Sequence, residues 1–292
     1  MFKKALKKIV CATLALGSVL GCSAMFAGCT TDRPEAEIKI EFNDKTYTLE
    51  YTLYRKIAPA TVSHFIKLAD EGYYKNMLVH DYADSKMYTG GYEYKADDLA
   101  GSLALNYEKD YFATVADYKN FPITVWDDEN RKEPTYTLYG EFSKNNFQVE
   151  NGALQQTYGA LTMYYTPKDT EETVTIKRAD GDGYTNGKSY EYNSATSLFS
   201  INLSTTATSN TSYCTFAKLS SHSKSTLEKL QKAIASYINT LGTEEDAENE
   251  FTESVTVYVN ENDPVLENAN DQETYDVPVK PIVIKSVKIT KY

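Results

Sequence analysis

Cysteine, histidine and positive charge are scarce in this chain, and each shortage closes off a class of function. Of the four cysteines, Cys11, Cys22 and Cys29 all lie close to the N-terminus, and Cys214 stands alone in the remainder. Once the N-terminal segment is removed, no intramolecular disulfide can form. One cysteine and the three histidines His64, His80 and His222 make a poor basis for a zinc site, so no metal or other cofactor is expected. Cys214 lies in an apolar, strand-like stretch and reads as a small buried hydrophobe. The chain carries 30 Lys and Arg against 41 Asp and Glu. Without Lys3, Lys4, Lys7 and Lys8 the balance is 26 against 41, a net of −15. Such a field repels phosphate backbones and anionic headgroups, which argues against nucleic-acid partners and against a basic membrane-docking face. Fixed-period repeats, a phosphate loop and a nucleophile–base constellation are also missing.

The N-terminus carries an address. Lys3, Lys4, Lys7 and Lys8 precede an apolar stretch from Ile9 to Phe26, which ends in Ala27-Gly28-Cys29. That order reads as a secretory signal over residues 1–28. A cysteine after a small pair matches a bacterial lipoprotein, with Cys29 acylated, residues 29–36 as a tether and 37–292 as the folded part. Cys22, after Leu20-Gly21, is the alternative; Ala27 suits its place better than Leu20 does. The apolar stretch is also long enough for an uncleaved membrane anchor. Both readings place the protein outside the cytoplasm, tied to the bacterial cell membrane, and a monomer is expected.

Tyrosine is abundant, with 25 copies. Tyr favours strands and half-exposed sheets; exposed, it also makes adhesive surfaces for peptides or glycans. Ile38, Ile40 and Phe42, then Tyr47, Leu49, Tyr51 and Leu53, alternate about a turn at Asn43-Asp44-Lys45, which predicts a hairpin. Pro59 opens a helix through Val62, Phe65, Ile66 and Ala69, and Gly72 stops it. Strands are expected between Tyr73 and Tyr94 and at 136–142, 159–165, 197–203, 213–219 and 279–289. A second helix carries Leu227, Leu230, Ile234, Ile238 and Leu241 on one face, with Ser225 and Glu228 as a capping box. Residues 180–183 (Asp-Gly-Asp-Gly) resemble the start of a calcium loop, but Tyr184 takes the third acidic place, so a hairpin tip is expected.

A family resemblance rests on an ordered set of motifs. Ala58-Pro59-Ala60-Thr61-Val62, Phe65, Leu68 and Gly72-Tyr73-Tyr74 are similar to the cyclophilin pattern A-P-x-T-V-x-N-F-x-x-L-x-x-x-G-x-Y. Val79-His80 through Thr89-Gly90-Gly91 follows in register with F-H-R-V-I-x-x-F-M-I-Q-G-G. Gly140-Glu141-Phe142-Ser143 resembles a segment of bacterial members. Gly159 to Met163, Asn193 to Ile201 and Cys214 to Leu219 resemble G-x-x-S-M-A, N-S-A-x-S-Q-F-F-I and V-x-F-G-x-V. The chain thus resembles a cyclophilin-type prolyl isomerase. The resemblance implies a mainly β fold: a closed antiparallel eight-stranded barrel with two covering helices, and enlarged loops near 93–135, 167–192 and 242–277. Its site would be a groove on the barrel's outside.

Prolyl isomerisation requires rotation about a tertiary amide against a barrier of about 18–20 kcal/mol. In the twisted state the prolyl nitrogen gains a lone pair, which a guanidinium stabilises while an apolar pocket holds the ring. At the groove positions the resemblance implies, His80 and Met87 are retained, but the Arg position is Asp81, the Phe position Lys86 and the Gln position Thr89. Leu198 and Ser200 replace Gln and Phe, and Tyr213 stands at the late His. His80 reads as a hydrogen-bonded structural residue, and Asp81 with Lys86 as either groove residues or a solvated ion pair. Three functions follow: a non-catalytic module that binds exported proteins or peptides, a surviving isomerase in which Lys86 supplies the charge, or a Tyr-rich surface for glycans or partner proteins.

Overall fold

Strict alternation on two neighbouring segments sets the first hairpin of the computed structural model. It describes residues 31–83, 85–95, 101–145, 147, 152–164, 173–178, 183–189, 195–209, 211–242, 250–258 and 272–292. Strands β1 (Glu35–Phe42) and β2 (Lys45–Leu53) pair antiparallel, with Asn43 and Asp44 both at positive φ (49° and 59°). Two such residues make the primed turn whose twist suits a two-residue hairpin. Ala36, Ile38, Ile40, Phe42, Tyr47, Leu49, Tyr51 and Leu53 are all buried. Because β1 begins at Glu35 and Ala36 is in the core, the expected tether is shorter than 29–36. Cys22 and Cys29 lie outside the described residues.

Helix α1 (Pro59–Asp70) starts with Pro at its first position and ends in a Schellman turn. Tyr73 N–H bonds Leu68 O at 2.9 Å, and Gly72 takes φ +73°, as only glycine does cheaply. Phe65 on its inner face meets Tyr74, Phe199 and Phe216, with ring centroids 5.0–5.6 Å apart. The barrel continues with β3 (Met77–Ala83), β4 (Lys86–Glu93), β6 (Leu161–Met163), β9 (Phe199–Asn202), β10 (Thr215–Leu219) and β13 (Ile282–Lys291). The order β1-β13-β3-β4-β9-β6-β10-β2 closes on itself, and every pairing is antiparallel. Closure leaves no edge strand, and the lumen is filled by side chains.

The segments expected as enlarged loops carry structure of their own. A 3-10 turn (Gly101–Tyr107) and the short helix α2 (Tyr111–Ala116) follow β4. β5 (Val125–Trp126), β7 (Thr173–Lys177) and β8 (Tyr184–Ser189) form a three-stranded sheet. β11 (Thr252–Tyr258) and β12 (Gln272–Pro278) pair as a ribbon, and β12 lies across β3. Arg178 N–H bonds Gly183 O at 3.0 Å between β7 and β8, but 179–182 lie outside the described residues, and with them most of the Asp-Gly-Asp-Gly stretch.

Other expectations need correction. Residues 136–142 form no strand, only an isolated bridge between Leu138 and Ala195. Helix α3 (Lys224–Ile238) buries Leu227, Leu230 and Ile234 over β2 and β1, but its N-cap is Ser223, so Ser225 and Glu228 form no capping box. Ser223 Oγ instead accepts the N–H of Glu50 at 2.8 Å, tying the helix start to the barrel. The described residues between Asp32 and Lys291 make one compact unit. Among the described residues no helix is long and apolar enough to cross a membrane.

Candidate functional site

Every residue from Met77 to His80 is buried, although a strand on a barrel surface ordinarily hides alternate residues only. Met77 and Val79 belong to the main core. Leu78 belongs to a second cluster outside the barrel, with Tyr92, Ala104, Tyr275 and Val277. The β11–β12 ribbon therefore roofs the outer face of β3, where the family resemblance puts the groove.

His80 is wedged under that roof. Its ring centroid lies 5.1 Å from that of Tyr92 and 4.8 Å from that of Tyr275. Burial holds its pKa down to about 3, so the imidazole is neutral. The expectation of a hydrogen-bonded His80 fails at Nδ1, which is buried without a partner. Next to it, Asp81 Oδ1 accepts the N–H of Asp276 at 3.0 Å. Burial pushes the Asp81 pKa up; the hydrogen bond from Asp276 opposes this, while the carboxylates of Asp276 and Glu273 reinforce it.

The solvated Asp81–Lys86 ion pair does not form. Asp81 sits opposite Tyr88 in the β3–β4 ladder, and Lys86 opposite Ala83. Lys86 Nζ stands 5.9 Å and 6.0 Å from the ring centroids of Tyr88 and Tyr213, and burial lowers its pKa. Its ammonium is engaged with aromatic faces.

A cavity of about 200 Å³ lies at this face, lined by His80, Asp81, Tyr88, Tyr164, Leu198, Glu273 and Tyr275. Tyr164 O–H donates to Glu273 Oε1. Its ring stands edge-on to Tyr88 at 5.9 Å and tilted to Tyr213 at 6.5 Å. Burial is the main force that drives the Tyr88 pKa up to about 12, with the carboxylates of Asp81 and Glu273 adding to it. Burial likewise raises Tyr164, Tyr213 and Tyr275, each further raised by Glu273. These hydroxyls remain neutral donors.

Of the eight groove positions named from the sequence, the structure brings His80, Asp81 and Leu198 to this cavity and puts Tyr213 and Lys86 beside it. The other three are withdrawn. Met87 is in the barrel core. Thr89 is fully buried, and its hydroxyl donates to Leu78 O at 2.8 Å. Ser200 is buried, its Oγ 3.5 Å from Thr162 O. Where a proline ring would need an apolar bowl, Met87 and Thr89 are turned into the barrel, and Ser200, opposite Tyr88 on the outer face, offers only a small buried hydroxyl. Gly90 shows why the glycine pair stays: with φ +106°, a Cβ there would stand 2.3 Å from Ser197 O.

Sequence reasoning missed Tyr88, Tyr164, Glu273 and Tyr275. The last two were legible in part, since Glu273, Tyr275 and Val277 follow the period of a strand. Nothing in their order says which strand they cover. Among the described residues no cluster of three or more His, Cys, Asp or Glu could hold a metal ion.

A second buried carboxylate does a different job. Glu141 accepts the N–H groups of Ala60 and Thr61 at 2.9 Å and 2.8 Å. It caps α1 from a distance, where Ala58 has no side chain able to do so. Burial pushes its pKa up to about 7, against the pull of those N–H groups.

Among solved structures, a Cryptosporidium parvum cyclophilin type peptidyl-prolyl cis-trans isomerase is 15% identical, with 89% of this chain and 99% of that chain covered, at a TM-score of 0.38. The Mimivirus cyclophilin is 12% identical, with 90% and 92% covered, at a TM-score of 0.40. A search of curated proteins gives no match. The family model for cyclophilin type peptidyl-prolyl cis-trans isomerase/CLD matches residues 37–258, so the chain belongs to the cyclophilin-type peptidyl-prolyl isomerase family.

Proposed function

We propose that this protein is an extracytoplasmic, lipid-anchored cyclophilin that binds exported proteins or peptides through its outer groove and has lost most or all prolyl isomerase catalysis. One observation carries the reading: the groove position of the guanidinium holds Asp81, hydrogen-bonded to Asp276 of the β11–β12 ribbon and facing Glu273. A carboxylate there raises the energy of a twisted amide whose nitrogen is gaining a lone pair. Losing one preorganised electrostatic partner costs about 3–4 kcal/mol of transition-state stabilisation, a factor of roughly 10²–10³. The inward turn of Thr89 and the small hydroxyl of Ser200 take away further contacts.

Rescue by Lys86 is disfavoured, because its ammonium rests against Tyr88 and Tyr213 and does not line the cavity. A Tyr-rich binding surface is favoured by the position of Tyr88, Tyr164, Tyr213 and Tyr275 around the groove. The compartment and the anchor rest on the basic, apolar and Ala27-Gly28-Cys29 order of the N-terminus.

The test is turnover of a short prolyl peptide by the full-length protein. Acceleration at least a hundredfold below that of an active cyclophilin is expected. A rate constant within tenfold of that enzyme would end the proposal. Mass spectrometry of the protein from its host membrane checks the anchor, with a diacylglyceryl adduct expected on Cys29 and an unmodified Cys29 arguing against it.

A further inference from the structure

The cavity against Asp81 has an unusual balance of charge. Its lining holds two carboxylates, Asp81 and Glu273, and three tyrosines, Tyr88, Tyr164 and Tyr275, with no Lys or Arg among them. Aromatic faces attract organic cations, and the attraction grows when water is excluded. Like-charged carboxylates in a half-buried space repel each other unless a cation stands between them. The one basic side chain in the lining, His80, is 1% exposed and neutral, so it supplies no countercharge.

The two carboxylates are held in place by groups that leave them room for a further donor. Asp81 Oδ1 takes the N–H of Asp276, and Tyr164 O–H donates to Glu273 Oε1. Each carboxylate can accept more hydrogen bonds than the one it receives there. Ammonium and guanidinium groups bring N–H donors together with positive charge. The volume, about 200 Å³, amounts to several water molecules and admits the end of a long side chain.

We infer that this cavity binds an organic cation, the ammonium or guanidinium of a lysine or arginine side chain on a partner. Asp81 and Glu273 supply the countercharge, and Tyr88, Tyr164 and Tyr275 the aromatic walls. The inference rests on the binding reading of the groove and names its ligand chemistry. It replaces a site for a neutral proline ring with one for a charged side chain.

Calorimetric titration of the full-length protein tests this with four probes: Nα-acetyl-lysine methylamide, its norleucine counterpart, butylammonium, and an Ala-Pro peptide. The lysine probe should bind at least tenfold more tightly than norleucine, which has a similar shape and no charge. Asp81→Asn and Glu273→Gln should each weaken it at least tenfold. Asn and Gln keep an acceptor oxygen, and Glu273→Gln on the ribbon decides the matter alone if Asp81→Asn fails to fold. Lysine tighter than butylammonium assigns the site to a side chain; butylammonium equal or tighter assigns it to a free amine, and both support a cation site. Equal affinity for norleucine, no binding of either cation, or indifference to both variants would overturn the inference. Prolyl turnover measured on the same sample keeps the two ideas apart. A slow isomerase that ignores lysine defeats only the cation site, whereas a fast one defeats the reading beneath it.

Discussion

Along β3, Met77 and Val79 join the core that holds Phe65, Phe199 and Phe216, whereas Leu78 packs outside the barrel with Tyr275 and Val277. The two faces of one strand obey different demands. Inside, apolar side chains of suitable size are sufficient, and the closed barrel results from alternation and a helix plug. Outside, function depends on single side chains, so Asp81 and the ribbon above it redefine the site while the barrel stays intact. A fold tolerates a new task when its chemistry and its packing occupy opposite faces.

Truncation on each side of the sheet should expose that contrast most sharply. Phe65→Ala removes a fully buried ring that meets three aromatic neighbours and should cost about 3–5 kcal/mol in denaturant unfolding. Leu198→Ala, on the half-buried groove wall, should cost under about 1 kcal/mol. Similar losses at both positions would mean that the groove wall helps to hold the barrel together.

A smaller effect is expected at Glu141, which belongs to the interior although it is charged. Its pKa is raised from 4.5 to about 7. The folded state therefore binds its proton more tightly than the unfolded chain does, and this contribution is full below pH 4.5 and lost as pH rises through about 7. Glu141→Gln should stay within about 1 kcal/mol of wild type at pH 5, because the folded wild-type side chain is protonated there and, like the amide, presents one carbonyl oxygen to the two N–H groups. Toward pH 8 the balance should shift in favour of the variant, which has no carboxyl to ionise. His64 and His80, both held down to about 3 by burial, act in the opposite sense: they contribute stability above pH 6.5 that is lost as pH falls. They are common to both proteins and cancel in the difference. A gap that does not change with pH would deny the buried carboxylate its titration.

Most of the barrel was legible because its signals are local. Period-two alternation in β1 and β2, Pro59 at a helix start and Gly72 at its end each follow from neighbouring residues. Residues 136–142 misled because their apolar side chains pack as irregular chain, with Leu138 and Phe142 both in the core. The capping box failed since Ser223, two residues earlier, already serves the helix start while its hydroxyl holds Glu50. The groove was half legible. Ordered motifs located His80, Asp81 and Leu198, but Glu273 and Tyr275 reach the site from nearly 200 residues away, as the bond between Asp81 and Asp276 illustrates. Register alone within a strand cannot reveal which distant ribbon will roof it.

The most direct test of a groove rebuilt for binding is exchange NMR on a proline-containing peptide mixed with stoichiometric full-length protein. Uncatalysed X-Pro bonds interconvert over tens to hundreds of seconds. The account predicts that cis and trans resonances stay in this slow regime while the peptide shows only binding shifts. Cross-peaks between the two isomers on a subsecond timescale, reduced by mutation of Lys86, would contradict it.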